Sequence, residues 1–289
     1  MVTYFVKRKE NIKEVEISHK CVTLLYKHKN RIILQMINRK WVSQFVGFLA
    51  NRKFSTKMIG QFIKKNNIDM HEYEKKVYKN FNDFFARKIK SGKRPFSKKA
   101  TDLCAPADSK LLVYKISNNL QMNIKGKTYT LNELLNNDKL ALKYMNGYCL
   151  VFRLSVDDYH RYSFIDSGRV IEKKQINGIF HTVGSIAFKN HKVFKENQRE
   201  YSLLETKNFD KIIQMEVGAL MTGKIKNYNI NKFKRGLEKG YFLFGGSTVI
   251  LIFKNIIKID DDILNYSKLD IEVKVKLGET IGKRCKNVF

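Results

Sequence analysis

A glycine pair followed by a β-branched run stands at Gly240-Tyr-Phe-Leu-Phe-Gly245-Gly246-Ser247-Thr248-Val249-Ile250-Leu251-Ile252-Phe253. Glycine adopts backbone conformations that other residues avoid, so the pair permits a sharp bend immediately before Ser247. The run from Thr248 to Phe253 is apolar and rich in β-branched residues, which is typical of a buried strand. A bent Gly–Ser bond can bring the Ser247 hydroxyl onto the carbonyl that precedes it, although an ordinary turn is the usual meaning of such a pair before a strand.

Several other short runs have the same composition and predict further strands after Pro106. A short capped helix is predicted at 130–135, where the sequence is Thr-Leu-Asn-Glu-Leu-Leu. This part of the chain is therefore predicted to be β-rich. The predicted strands, which carry β-branched and aromatic residues between turn residues, are 110–116, 149–154, 212–217, 248–253 and 271–275.

The first 95 residues have helical instead of strand periodicity. Apolar residues recur at steps of three and four over 33–49, 58–63 and 73–85, which is the spacing of one helix face. Ser55 and Thr56 are candidate caps for the second of these helices. Such stripes usually pack into a core, but a basic amphipathic helix that carries aromatic residues can also lie in a lipid interface.

The charge distribution also separates the first part of the chain from the rest. The 289 residues include 56 Lys and Arg against 27 Asp and Glu, a net charge of +29, and residues 1–100 alone hold 25 basic and 7 acidic side chains. No acidic residue lies between Glu16 and Asp69. Such an excess predicts an anionic partner, although a lysine-rich coding bias would also raise the total. We predict an α+β fold, with a basic, membrane-facing helical region at 1–95 and a β-rich, barrel- or sandwich-like catalytic domain at 96–289.

Several classes of protein do not fit the sequence. The four cysteines contain no CxxC pair, so their spacing predicts no zinc site. The chain start lacks the order of a signal peptide, and the longest apolar runs, near 41–50 and 241–253, are shorter than the ~18 residues of a membrane span. Residues 218–225 nearly match a phosphate-binding loop, but Ile225 stands where a Mg²⁺-binding hydroxyl is needed. The scattered cysteines and the lack of a signal peptide or membrane span lead us to expect a cytoplasmic protein with reduced thiols. Because lysine dominates over arginine and no nucleic-acid-binding motif is present, we expect no nucleic-acid partner.

Three polar side chains supply the parts of a nucleophile relay. Asp108 follows a proline turn, His160 lies between aromatic and basic neighbours, and Ser247 follows the glycine pair. An acid, a histidine and a hydroxyl can together activate a serine as a nucleophile. Taken singly, Asp108 is more often a turn residue and His160 a structural one, and a second histidine stands at His181.

Taken together and in this order, the motifs resemble the phosphatidylserine decarboxylase proenzymes over most of the chain. The Gly-Ser-Thr element is the most specific, and its Phe-Gly-Gly-Ser-Thr form is most similar to the clostridial branch. The segments that carry the resemblance are Phe84-Phe-Ala-Arg87, Arg94-Pro95-Phe96, Ala105-Pro-Ala-Asp108, Asp158-Tyr-His-Arg161, Asn197-Gln-Arg199, Val217-Gly-Ala219 and Phe244-Gly-Gly-Ser-Thr248.

The resemblance implies self-cleavage between Gly246 and Ser247, because the family's proenzyme cuts itself between the glycine and serine of this motif. The products would be a β chain of residues 1–246 and an α chain of residues 247–289, with a pyruvoyl group formed from Ser247. In the family this covalent cofactor forms a Schiff base with phosphatidylserine and accepts electrons as CO₂ leaves, which yields phosphatidylethanolamine. No metal or diffusible cofactor is expected.

The resemblance also implies a relay in which Asp108 orients a histidine that deprotonates Ser247. Many members carry a second histidine three residues after the first, but Ser163 stands there in this chain. His160 is the preferred relay base, and His181 is the alternative.

The implied partners are phosphatidylserine, an anionic membrane surface and the two chains of the same proenzyme, with a homodimer left open. The protein is expected to be peripheral on the cytoplasmic face of the cell membrane. Two other functions stay open on the sequence alone. One is a pyruvoyl decarboxylase of another amine-bearing substrate, and the other is an inactive relative that binds lipid.

Overall fold

The computed structural model of the chain describes residues 2–8, 12–17, 40–183, 185–188, 191–219, 224–243 and 247–285. The helices are α1 (Lys40–Ala50), α2 (Lys57–Lys65), α3 (Phe81–Phe85), α4 (Leu131–Leu135), α5 (Asp138–Leu142), α6 (Ser185–Phe188), α7 (Val193–Glu196) and α8 (Asp261–Lys268), with 3₁₀ turns at Lys53–Thr56 and Met70–Glu72. The strands are β1 (Val2–Lys7), β2 (Ile12–Ile17), β3 (Asp102–Cys104), β4 (Ser109–Lys115), β5 (Gln121–Ile124), β6 (Lys127–Thr130), β7 (Tyr148–Leu154), β8 (Arg161–Ser163), β9 (Gly168–Ile176), β10 (Arg199–Thr206), β11 (Lys211–Val217), β12 (Ile225–Asn227), β13 (Lys232–Phe233), β14 (Glu238–Phe242), β15 (Ser247–Phe253), β16 (Ile257–Ile259), β17 (Glu272–Val275) and β18 (Thr280–Arg284).

One large sheet forms the framework, with ten strands in the order β13-β9-β10-β11-β15-β7-β4-β17-β1-β2. Neighbouring strands are antiparallel except for β1 and β17, which are parallel. Smaller sheets are formed by β12-β14-β8, β16-β18-β3 and β5-β6. The predicted β-rich fold with some helices is confirmed, but the described strands do not close into a barrel.

Both faces of the central strand β15 are buried, which explains its continuous apolar sequence. Ile250 and Ile252 pack into the core on one face of the sheet, whereas Val249, Leu251 and Phe253 pack into the core on the other face. Each such side chain contributes about 1.5–3 kcal/mol when it is fully buried. The strand that begins at Ser247 is thus held firmly in the middle of the molecule.

The helices α1, α2 and α3 form a separate small core before the large sheet. The Phe81, Phe84 and Phe85 side chains of α3 are buried in it, and the Phe62 ring of α2 meets the Phe81 ring edge-on at 5.1 Å. The buried Ser55 hydroxyl accepts a hydrogen bond from the Phe81 amide at 2.9 Å and lies 2.6 Å from the Arg52 carbonyl to which it donates. This hydroxyl therefore ties the turn after α1 to the start of α3.

Several predicted elements match the structure closely. The predicted strands correspond to β4, β7, β11, β15 and β17. The short helix α4 has the predicted cap, because the Thr130 hydroxyl accepts from the Glu133 amide while the Glu133 carboxylate accepts from the Thr130 amide.

The N-terminal part differs from its helical prediction in three places. Residues 2–17 contain β1 and β2, and the Phe5 position of β1 pairs with Glu272 across the large sheet. Tyr73 forms an isolated bridge with Ile89 instead of joining a helix. Thr56 makes no side-chain cap at the start of α2, because its hydroxyl donates to the Lys53 carbonyl inside the 3₁₀ turn. Residues 33–39 of the first predicted helix lie outside the described part.

Candidate active site

The predicted site residues gather at one edge of the large sheet. Ser247 is the first residue of β15 and pairs with Leu154, the last residue of β7. Asp108 immediately precedes β4, the strand on the other side of β7. Because neighbouring strands lie about 4.8 Å apart, the Ser247 and Asp108 backbones end roughly 10 Å from each other.

The Ser247 side chain is buried, with 1% of the residue exposed. Its hydroxyl oxygen has no hydrogen-bond partner among the described residues. A buried hydroxyl without a partner costs about 1–3 kcal/mol, so such a group calls for a functional explanation. Gly246, the other residue of the predicted cleavage site, lies outside the described residues, together with Phe244 and Gly245.

The Asp108 carboxylate is held by an arginine at this edge. Arg94 donates to it through Nε at 2.9 Å and Nη2 at 2.8 Å, and the Leu277 amide donates at 2.8 Å. Arg94 also binds Glu72 at 2.8 Å. Burial works to lower the pKa of Arg94, but its hydrogen bonds to Asp108 and Glu72 outweigh burial and raise that pKa. Orientation of a histidine by Asp108 therefore stays a prediction.

His160 lies at the same edge, in the loop between β7 and β8, and is fully buried. Its Nδ1 atom is 2.9 Å from the Asp158 carbonyl oxygen, and its ring centroid is 4.1 Å from that of Phe85. The Phe242 amide donates to the His160 carbonyl at 2.9 Å, which fixes the loop to the end of β14. Because a carbonyl oxygen only accepts, Nδ1 carries a proton, and neutral His160 has its lone pair on Nε2.

The Asn197 side chain holds the His181 backbone near the same edge of the sheet. The Asn197 side chain accepts from the His181 amide and donates to the His181 and Gly218 carbonyls, each at 2.8 Å. Gly218 follows Val217, which pairs with Thr248. The His181 backbone is thus fastened beside the start of β15.

The His181 ring belongs to a compact group with His191 and Glu196. The two rings stack at 3.9 Å, and the same Glu196 oxygen lies 3.0 Å from His181 Nε2 and 3.2 Å from His191 Nδ1. The hydrogen bond from His181 lowers the pKa of Glu196 to about 2. These three are the residues of the described part whose ligand atoms lie close enough together to hold a metal ion.

Known proteins resemble the chain over most of its length. The family model of phosphatidylserine decarboxylase matches residues 81–283. The chain is 56% identical over 255 residues to phosphatidylserine decarboxylase proenzyme 2 of Clostridium acetobutylicum, covering 88% of both proteins. It is 44% identical over 290 residues to the phosphatidylserine decarboxylase proenzyme of Clostridium tetani, covering 97% of this chain and 98% of the relative. The proenzyme of Ruminiclostridium cellulolyticum is 42% identical over 268 residues, covering 90% of this chain and 89% of the relative.

The chain belongs to the phosphatidylserine decarboxylase family.

The family match includes all four candidates named from the sequence, Asp108, His160, His181 and Ser247, and it begins at α3. The helices α1 and α2 precede the matched segment. Among the described residues, no helix combines the length and the apolar composition that crossing a membrane requires.

Sequence reasoning missed a buried group of charges beside the candidate residues of this decarboxylase-family site. The Ser155 hydroxyl lies 2.8 Å from Lys110 Nζ and 3.0 Å from Arg153 Nη1, and the Ser155 amide donates to Asp158 at 2.7 Å. Arg153 in turn binds Glu272. Burial raises the pKa of Asp158 to about 6. A usable signal existed, since charged residues inside strands that are otherwise apolar require buried partners.

Arg94 was also missed as a site residue, although it stands in one of the motifs that carry the resemblance. Its partner Asp108 is near in sequence, but its other partner Glu72 lies in a different part of the chain. Only the fold brings the two carboxylates to the same guanidinium.

Proposed function

We propose that the chain is a self-processing phosphatidylserine decarboxylase that converts phosphatidylserine to phosphatidylethanolamine and CO₂. One observation carries this proposal. The Ser247 hydroxyl is buried and lacks a hydrogen-bond partner in the described part of the chain, at the first residue of a central strand and directly after a glycine pair. A hydroxyl in this position is suited to attack the peptide bond that precedes it.

The proposed self-cleavage uses groups of the chain and one water molecule. Ser247 Oγ attacks the Gly246 carbonyl carbon, and the peptide nitrogen leaves that carbon as an ester forms. Elimination then frees the Gly246 carboxylate, which keeps the former Ser247 Oγ, and leaves a dehydroalanine at residue 247. Water hydrolyses the imine tautomer of this residue, which releases ammonia and leaves a pyruvoyl group whose keto oxygen comes from the water. The pyruvoyl group supplies a conjugated carbonyl that withdraws electrons from the substrate. The products are a β chain of residues 1–246 and an α chain of residues 247–289.

A base is needed because a serine hydroxyl is a poor nucleophile at neutral pH. We assign this role to His160, whose neutral ring has its lone pair on Nε2 while Nδ1 is held by the Asp158 carbonyl. Asp108 remains the proposed acid of the relay, with Arg94 fixing its carboxylate. His181 is the alternative base, and its backbone is fastened beside Ser247 by Asn197.

The first helices are proposed to dock on an anionic membrane surface at the cytoplasmic face of the cell membrane. Large apolar side chains are exposed there, with Phe45 at 58% and Phe54 at 57%. No acidic residue lies between Glu16 and Asp69, so the exposed lysines and arginines around these side chains have no acidic neighbour in sequence. Apolar insertion and attraction to anionic lipids, worth about 1 kcal/mol per basic side chain near the surface, would act together. The surface consists of Phe45, Phe48, Leu49, Arg52, Lys53, Phe54, Lys57 and Met58.

The proposed activity is tested with purified protein on a denaturing gel, followed by mass spectrometry of the fragments. Wild-type protein should give two chains, with a pyruvoyl group on the shorter one, and should release CO₂ from phosphatidylserine vesicles. Ser247→Ala should abolish both cleavage and CO₂ release. Ser202→Ala is the matched control, because Ser202 is also a buried serine without a described partner in the large sheet. A seryl N-terminus on an active enzyme would exclude the mechanism.

A homodimer is proposed only as a secondary expectation, and sedimentation of the cleaved protein tests it. Release of CO₂ from another amine-bearing substrate, with none from phosphatidylserine, would favour the second function left open by the sequence.

A further inference from the structure

A cavity of 170 Å³ lies between the small helical core and the loop that carries His160. A cavity of about 150 Å³ can hold a molecule the size of benzene, so this space can accept a small group. The charged side chains that line it are Lys76, Arg87, Lys88 and Arg161 against Glu74 and Asp83. Its lining therefore carries more positive than negative groups.

Arg87 is the most unusual of these side chains because only 2% of it is exposed. Its Nη2 atom donates to the Tyr73 hydroxyl at 3.2 Å and to the Asp157 carbonyl at 3.3 Å. Its Nε and Nη1 atoms have no hydrogen-bond partner in the described part of the chain. Two aromatic faces also lie close to it, since its guanidinium carbon is 4.4 Å from the centre of the Tyr73 ring and 5.1 Å from that of Phe84.

A buried cation normally has an anionic partner, since an unpaired charge costs several kcal/mol in the interior. The two carboxylates of the lining do not contact Arg87 among the described interactions. Asp83 binds Lys76 at 2.6 Å, and the second buried arginine of the lining, Arg161, has its own partner in Glu238. Arg87 thus lines this cavity while two of its buried donor atoms have no partner in the described part of the chain.

The cavity adjoins the proposed catalytic edge. The Asp158 carbonyl oxygen lies 3.5 Å from Arg87 Nη2 and 2.9 Å from His160 Nδ1, so the guanidinium and the imidazole share one acceptor. The ring of Phe85, two residues before Arg87, contacts the His160 ring at a tilt of 40°. An anion bound at Arg87 would therefore lie next to His160.

We propose that Arg87 binds the phosphodiester of the substrate head group, an inference that rests on the proposed function. In phosphatidylserine the phosphorus is joined to the reacting α-carbon through one oxygen and Cβ, so a phosphate at Arg87 leads the α-carbon towards His160. The substrate carboxylate does not suit this position. It must leave as neutral CO₂, and a cation that holds its charge would stabilise the ground state more than the transition state.

Binding is measured by calorimetry on the uncleaved Ser247→Ala protein, with sn-glycero-3-phospho-L-serine as the probe. We expect Arg87→Met to weaken binding at least tenfold and Arg87→Lys to weaken it less. Arg169→Met is the matched control because Arg169 is 66% exposed and pairs with Glu205 at the surface. Equal affinity of the Arg87→Met and parent proteins, or no binding by the parent, would overturn the proposal.

A second arm separates the head group from free phosphate. Inorganic phosphate should compete with the probe but bind more weakly, and equal affinity would identify a general phosphate site and reject the head-group assignment. If Arg87→Met does not fold, as judged by circular dichroism, Arg87→Lys decides by its KM. A several-fold rise in KM for phosphatidylserine with little change in kcat supports the proposal, and an unchanged KM rejects it. The binding arm needs no cleavage, so a wild-type chain that never cleaves would reject the proposed function while leaving the binding result valid.

Discussion

Replacement of Arg94 by methionine tests whether one guanidinium holds together the sheet edge that carries the candidate site residues. Arg94 is almost buried, with 7% of its side chain exposed, and it donates to both Asp108 and Glu72. Methionine keeps much of the side-chain volume but removes the charge and all of these donors. Asp108 would then retain only the Leu277 amide among the hydrogen bonds described for its carboxylate.

The expected loss can be worked out from the two partners separately. Asp108 has 11% of its side chain exposed, and leaving a buried charge without its partner costs about 3–5 kcal/mol. Glu72 is 26% exposed, so its share is screened and adds about 0–1 kcal/mol. We therefore expect the free energy of unfolding to fall by about 4 kcal/mol, a large part of the 5–15 kcal/mol typical of a folded domain.

The measurement is urea unfolding of the uncleaved Ser247→Ala protein with and without Arg94→Met. Adding Asp108→Asn to Arg94→Met should recover about 2–3 kcal/mol, because the orphaned charge is then gone. Arg169→Met removes the same kind of ion pair at the surface and should cost at most about 1 kcal/mol. The reasoning is refuted if Arg94→Met costs no more than Arg169→Met, or if Asp108→Asn gives no recovery.

Three further outcomes are expected. Burial raises the pKa of Asp158 to about 6 from 3.8, so its ionisation weakens folding. Other carboxylates such as Glu196, whose pKa is lowered, act in the opposite direction in the wild-type protein and in Asp158→Asn alike. The stability of the wild-type protein relative to Asp158→Asn should therefore rise by about 2 kcal/mol in urea melts as pH falls from 6 to 4, and a difference that does not change with pH is the contrary result. Ser55→Ala should lower stability by about 1–3 kcal/mol because the Phe81 amide loses its acceptor, whereas the more exposed Thr56→Ala should cost a few tenths. The double variant Phe45→Ser with Phe54→Ser should sediment several-fold more weakly with phosphatidylserine vesicles, whereas Leu269→Ser, which also replaces an exposed apolar residue, should bind like the wild type. Binding of the wild-type protein should fall as salt is added. Equal binding by the double variant and by Leu269→Ser would reject the docking surface.

The sequence predicted those parts of the fold whose signals are local. Strand β15 was recognisable because every residue from Thr248 to Phe253 is apolar or β-branched, and both of its faces are buried. The helix α4 was recognisable because its cap is formed within four residues. Strand β1 was missed because its place in the sheet depends on parallel pairing with β17, which lies near the other end of the chain.

The candidate site shows the same difference between residues with local sequence signals and residues whose partners are distant in sequence. Ser247, His160 and Asp108 could be chosen from short motifs, and the fold brings all three to one edge of the sheet. The partners of these residues could not be chosen in that way. Arg94 reaches Asp108 and Glu72 only after the chain has folded, and the Asp158 carbonyl serves both Arg87 and His160.

Because β15 lies in the middle of the large sheet, the proposed cut would produce two chains that remain bound to each other. In the large sheet β15 lies between β11 and β7, and β17 lies between β4 and β1. Both β15 and β17 are thus flanked on each side by strands that precede Ser247. Cleavage before Ser247 would leave two polypeptides joined along four strand edges in the large sheet and along a fifth between β18 and β3. Unfolding would then become a dissociation, and refolding a second-order reaction whose yield depends on protein concentration. The chain must therefore fold before it is cut, and a cut molecule that has once come apart can reassemble only by encounter between its two fragments.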